Sequence, residues 1–254
     1  LRESSPSAVT RIVHAAYKNG VDEIHVRYST TQQLERIQEV VDKGMVGFEI
    51  VKQTKDLCII KSVVSVSEEE ENIDVLLKRT IYLLYDTAVE TVRAIKSKDI
   101  NTLKTVYRME ELNNRYTGFC RRIINKSTPT RFNGPLYYIA NSLEKAADQF
   151  KYLSLMFINN QKLLKKLQKT DVALLEELQE YVMLVQKTLL KFSITSFEKA
   201  LSKRKDLIQK SLEILTEKQK GFPFVVANIQ TLTQILANIL SVKATLEIGK
   251  LTYT

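Results

Sequence analysis

The sequence predicts a mostly α-helical protein: six helices forming two tandem three-helix units, preceded by a small α+β module. Three observations lead there. The 254 residues include only 7 Gly, 4 Pro and no Trp, so few breakers that long helices are expected. From Ile73 onward the apolar residues Ile73, Leu77, Ile81, Leu84, Ala88, Val92 and Ile95 advance in steps of four or three, the seam of a bundle. Before residue 66 the texture differs, with alternating runs between two short amphipathic segments.

The elements follow in order. Ser5-Pro6-Ser7 starts a helix with Val9, Ile12, Val13, Ala16 and Tyr17 on one face, stopped by Asn19-Gly20. Residues 21–28 alternate and read as a strand. Thr30/Thr31 cap a second helix, Gln32–Lys43, which Gly44 closes. Phe48–Gln53 and Leu57–Val64 flank the polar Thr54-Lys55-Asp56 and read as a hairpin. Residues 1–66 are thus expected to form an α-β-α-β-β module with a three-stranded sheet, small enough to need packing against something else. Residues 67–254 form the helical domain, entered through the acidic run Glu68–Glu71.

In that domain the first long helix ends at Lys96-Ser97-Lys98-Asp99. Asn101 caps the second, which runs to about Lys126 with Val106, Met109, Leu112, Tyr116, Phe119, Cys120 and Ile123 inward. Residues 127–135 form a turn-rich loop. The third helix runs from Leu136 to about Gln168, with Ile139, Ala140, Leu143, Ala146, Ala147, Phe150, Leu153 and Phe157 on one apolar face. Asp171 caps a fourth helix to about Glu198, with a break at Ser193–Ser196. The fifth ends near Lys220, and Gly221-Phe222-Pro223 separates it from the sixth, Val225 to about Lys250. Residues 221–242 carry no charge and are long enough to span a bilayer. Asn228, Gln230, Gln234 and Asn238 recur through them, and four carboxamides are costly in hydrocarbon. No membrane span is expected; this is a central bundle helix.

Net charge is +9, which admits a polyanionic partner or an anionic membrane surface without requiring one. Basic clusters occur at Arg121/Arg122/Lys126, Lys162/Lys165/Lys166/Lys169 and Lys199/Lys203/Arg204/Lys205, and are expected to be mostly solvated faces. Two distant cysteines, Cys58 and Cys120, fit a reducing interior. His14 and His25 are expected at surfaces or edges. The helical half holds no histidine, no nucleophile–histidine set is in sight, and no Gly-rich phosphate loop occurs, so no enzyme is expected. The chain begins at Leu1, which fits a fragment or processed form.

The residues that invite chemistry lie on the third helix. Glu144 and Asp148 are i,i+4 neighbours beside the apolar face, about 5–6 Å apart at Cβ. Such a pair needs a cation: Lys145, Lys151, a lysine from another helix, or a bound metal. The second helix offers Glu110 and Asn114 at the same spacing. Oxygen-only ligation of this kind suits a divalent or iron-type cation, and a solvated or salt-bridged edge is the commoner outcome.

The helical half resembles the PhoU-type phosphate-uptake regulators. Leu143-Glu144-Lys145-Ala146-Ala147-Asp148, Met109-Glu110-Glu111-Leu112-Asn113-Asn114-Arg115 and Cys120-Arg121-Arg122 carry the likeness. The front half, through Gly47–Val51 and Cys58–Lys61, resembles the middle of archaeal proteins that join an AbrB-like DNA-binding domain to a PhoU-like domain. The resemblance implies a cytoplasmic, dimerising regulator of phosphate uptake or phosphate-responsive signalling. It implies contact with a phosphate ABC transporter or signalling protein, and acidic motifs that hold metal, here Glu144, Asp148, Glu110 and Asn114. DNA binding would belong to an N-terminal domain absent from this chain, which would then be the sensing and dimerisation half of a transcriptional regulator. A helical scaffold with no ligand is the third reading. One departure stands out: residues 232–238 of the second repeat put Thr and Ala, or Gln and Asn, where the acids belong.

Overall fold

The computed structural model describes residues 4–63, 73–216 and 221–251. The acidic run at 68–71 and the expected end of the fifth helix at Lys220 lie outside these. Among the described residues there are nine helices and three strands. In order they are α1 Pro6–Lys18, β1 Glu23–Arg27, α2 Thr31–Gly44, β2 Phe48–Gln53, β3 Leu57–Ser62, α3 Ile73–Ser97, α4 Ile100–Lys126, α5 Asn133–Asn159, α6 Gln161–Lys166, α7 Lys169–Leu190, α8 Ile194–Thr216 and α9 Pro223–Leu251. The chain forms two compact units. One gathers Leu1–Leu77 with Asn114–Ala140, the other Lys78–Asn113 with Asn141–Thr254.

The first unit is built on an antiparallel sheet of order β1-β3-β2. A register shift between Ile50 and Lys52 leaves Val51 as a bulge on the outer strand. The helices α1 and α2 cover one face, and Val9, Val13, Tyr17, Val26, Ile37, Phe48, Cys58 and Ile60 fill the core between them. Thr30 caps α2, accepting from Gln33 N while the Gln33 side chain accepts from Thr30 N, a full capping box. At the end of α1, Gly20 at φ 87° closes a Schellman turn, with Val21 N donating to Ala16 O.

The last three turns of α4 belong to this unit and bring a buried cation to that helix end. The Arg122 guanidinium is fully buried. It donates to Val21 O at 3.0 Å and Tyr17 O at 3.4 Å, pairs with Asp22, and lies 4.6 Å from the Phe48 ring centroid. Asn125 donates to Lys18 O at 2.7 Å, and the Lys126 ammonium reaches Asp22 at 2.5 Å. These donors satisfy carbonyls at the negative end of the α1 dipole. Arg121 is buried as well. The cluster expected on a solvated face is therefore an internal anchor, because the partners it needs are backbone carbonyls that no sequence pattern displays.

His14 is also enclosed rather than at an edge. A Cβ on Gly118 would come within 3.2 Å of its Nε2, a close approach that glycine makes without displacing the ring. Its ring stacks on Tyr17. Burial, with Lys18 and Arg121 nearby, pushes its pKa down to about 3, against a hydrogen bond with the Gly44 backbone.

Of the expected α3 seam, Leu77, Ile81, Leu84, Ala88, Val92 and Ile95 are buried and Ile73 is half-buried; from Lys78 on the helix belongs to the second unit, where it also buries Thr80, Thr87 and Thr91. Asp99, not Asn101, caps α4: its carboxylate accepts from the backbone of Asn101 and Thr102 and from the Thr102 hydroxyl. The third long helix ends at Asn159 rather than near Gln168. Asn160 leaves helical geometry and its side chain donates back to Met156 O at 3.1 Å, so the short α6 starts afresh. Asp171 lies inside the first turn of α7 rather than at its cap, accepting from Gln168 N, and it also accepts from Phe222 N at the start of α9. Ser193 caps α8 at the expected break. The helices α7, α8 and α9 pack on one another. By length and composition α9 could cross a membrane, with mean hydropathy 1.4 over its span, but 56% of that window is buried in the fold. Asn228 donates from it to Gln149 O at 2.9 Å.

His14 makes the first unit acid-sensitive. The unfolded histidine takes up a proton near its ordinary value of 6.5, while the folded one stays neutral down to about 3. Stability is therefore full above 6.5 and falls as pH drops below it. Chemical denaturation from neutral pH to about 5 should show a loss of about 1–2 kcal/mol in the parent chain. His14→Leu should flatten that dependence.

Candidate functional site

The site grows from an unusual feature of α4. One buried line along it is Leu103, Val106, Glu110, Asn113, Thr117, Cys120 and Ile124, again in steps of three and four, and Val106, Cys120 and Ile123 are buried as expected. Three of these are polar. Leu112, expected inward, is 39% exposed, and Met109, Tyr116 and Phe119 are only half-buried. The seam runs through the polar residues because Glu110 finds its partner inside.

That partner is Lys151 of α5. Its Nζ lies 2.6 Å from Glu110 Oε1 and 2.6 Å from Asp148 Oδ1. Asp148 and Lys151 share an edge of α5 at i,i+3, so the helix itself aligns them. The Glu110 side chain is 3% exposed, Lys151 18% and Asp148 26%. Burial pushes the Glu110 carboxyl above its ordinary value, with Lys151 opposing the shift and Asp148 adding to it. Burial works against the Lys151 ammonium too, but hydrogen bonds to Asp148 and Glu110 outweigh it and raise its pKa. An isolated buried carboxylate would be expensive, and the shared ammonium is what makes Glu110 tolerable there.

The four residues expected to hold a cation are therefore distributed as follows. Glu110 and Asp148 meet on Lys151. Glu144 is half-buried one turn before Asp148 on α5. Asn114, also half-buried, falls in the other compact unit, and its carbonyl accepts from the Thr117 hydroxyl at 3.2 Å. A metal ion at Glu110 and Asp148 would have to take the place of the Lys151 ammonium. Among the described residues no group of three or more His, Cys, Asp or Glu side chains is placed to hold one. Glu110, Asp148 and Lys151 form an internal ion pair.

Other reactive side chains are quiet. Burial pushes the Cys58 thiol up to about 11 and Cys120 up to about 12, away from thiolate chemistry. His25 is exposed and bonded to Glu23 at 2.6 Å. In the second repeat, Gln234 accepts from Arg204 at 2.9 Å and donates to Asn238 at 2.8 Å, so its carboxamides serve the bundle.

No family model matches the chain, and no curated protein matches it. Among solved structures the chain is similar to the phosphate transport system regulatory protein PhoU from Streptococcus pneumoniae. The TM-score is 0.56 at 15% identity, covering 73% of this chain and 98% of that one. The fold is PhoU-like. The chain has six long helices, α3, α4, α5, α7, α8 and α9, among its described residues, and the three-stranded sheet stands at the N-terminal side of the chain.

The ion-pair reading has a direct readout in metal content. Elemental analysis of the parent chain, loaded with manganese, iron or zinc and then desalted, should show no stoichiometric metal. Stoichiometric metal that disappears in Glu110→Gln or Asp148→Asn would overturn it.

Proposed function

We propose that this chain is a non-enzymatic, cytoplasmic regulator of phosphate uptake or phosphate-responsive signalling, working through protein–protein contact and as a homodimer. The observation that carries this reading is the PhoU-like fold, which spans nearly the whole length of the PhoU structure it resembles. The chemistry of the interior supports it. Glu110, Asp148 and Lys151 are bonded to one another, the thiols are held protonated, and His14 is enclosed. What is left for function is surface, and a regulator acts through surface. The expected partners are a phosphate ABC transporter or a signalling protein that reads its activity.

Two measurements test the reading. Cells lacking the gene should import phosphate in excess under phosphate-replete conditions, and the restored chain should reverse this. Light scattering of the purified chain should give twice the monomer mass. Phosphate uptake unchanged by the deletion would overturn the regulatory function, and a monomer at all accessible concentrations would overturn the dimer.

A further inference from the structure

Of the three basic clusters, one is largely internal and a second is partly engaged by neighbouring side chains. Arg121 and Arg122 are buried, and Lys126 pairs with Asp22. Lys203 binds Glu177 at 2.6 Å and also Glu180, and Arg204 donates to Gln234. The third cluster is different. Lys162, Lys165, Lys166 and Lys169, on α6 and the start of α7, are all exposed, and residues 159–170 contain no acid. Lys98 and Lys104, also exposed, extend this charge. They flank the start of α4, and the 2.5 Å ion pair between Lys96 and Glu176 ties the last turn of α3 to the second turn of α7. Among the described residues, the acids named here are already engaged: Asp99 caps α4, Glu176 holds Lys96, Asp171 is buried against two backbone amides, and Glu213 accepts from Gln209.

We propose that this lysine-rich end of the second unit docks on an anionic lipid surface. The make-up of the patch selects that partner. Every cation in it is lysine, a point charge on a flexible stem, with no arginine fork to read a single phosphate. Residues 159–170 hold no aromatic side chain, so there is no platform on which bases could stack. Leu164 is buried and Leu163 and Leu167 are half-buried, so no apolar anchor is offered to a protein partner, and lysine is depleted from protein interfaces. A concentrated, Lys-only surface matches the smeared negative potential of an anionic leaflet, to which each lysine adds independently. The docking is peripheral and reversible and involves no insertion of α9. It stands on the charge pattern alone and does not depend on a role in phosphate uptake.

The test is co-sedimentation with vesicles of phosphatidylcholine, with and without phosphatidylglycerol, at low ionic strength. The parent chain should bind only the anionic vesicles and be released by added salt. Lys162→Gln/Lys165→Gln/Lys166→Gln/Lys169→Gln should keep the helical signal and melting temperature while partitioning on the order of a thousandfold more weakly. A charge-matched control, Lys187→Gln/Lys191→Gln/Lys199→Gln/Lys205→Gln, should lose far less. The proposal is overturned if the parent ignores phosphatidylglycerol, if neutral vesicles bind equally well, or if the control loses as much. Variant-sensitive binding to duplex DNA without binding to vesicles overturns it in favour of a nucleic acid partner.

Discussion

One ammonium group sets the terms for the second unit. Lys151 lies between a carboxylate on its own helix and a buried one on α4, and the α4 seam passes through that buried carboxylate. A buried ion pair is rarely a net source of stability, since desolvating the charges consumes most of the Coulombic gain. Its effect is on register. With Glu110 fixed inward, Asn113 and Val106 turn inward with it and Leu112 turns out. Sliding or rotating α4 against α5 would leave a carboxylate buried with no partner, a penalty that apolar seams do not impose. The lysine thus specifies how the two helices meet as well as neutralising the acids.

The same polar interior decided which parts of the structure could be read from sequence. Apolar periodicity located α3, α5 and the hairpin, because their seams are made of Leu, Ile, Val, Ala and Phe. On α4 it failed by one position, since Glu110, Asn113 and Thr117 occupy the seam and leave Met109 and Leu112 as the apparent face. Arg122 was misplaced for a related reason. Its partners are the Tyr17 and Val21 carbonyls, about a hundred residues away in sequence. One local hint existed: Arg122 is embedded among Phe119, Cys120, Ile123 and Ile124, an apolar setting in which a solvated arginine is unusual. The break at Asn160 was legible in principle too, because adjacent asparagines favour caps over helix interiors. As for the site, the sequence brought Asp148 and Lys151 to one helix edge, while their meeting with Glu110 is tertiary.

The chain is PhoU-like in fold, and its interior shows how such a bundle closes with its own side chains. Where the acidic edge of α5 invites a cation, a lysine three residues on supplies one. Where the corresponding stretch of α9 carries Gln and Asn, the carboxamides bond within the bundle or to Arg204. The first arrangement is largely buried, while the second lies on the exposed side of α9.

The central claim is that Glu110 and Lys151 are energetically coupled inside the bundle. A double-mutant cycle tests it most directly, with the unfolding free energies of the parent, Glu110→Gln, Lys151→Met and the double variant measured at neutral pH. A coupling energy of about 1–3 kcal/mol, with the double variant more stable than the two single losses would sum to, is the result this account predicts. Strict additivity would contradict it, since the two side chains would then contribute independently and Lys151 would not be what holds the α4 seam in place.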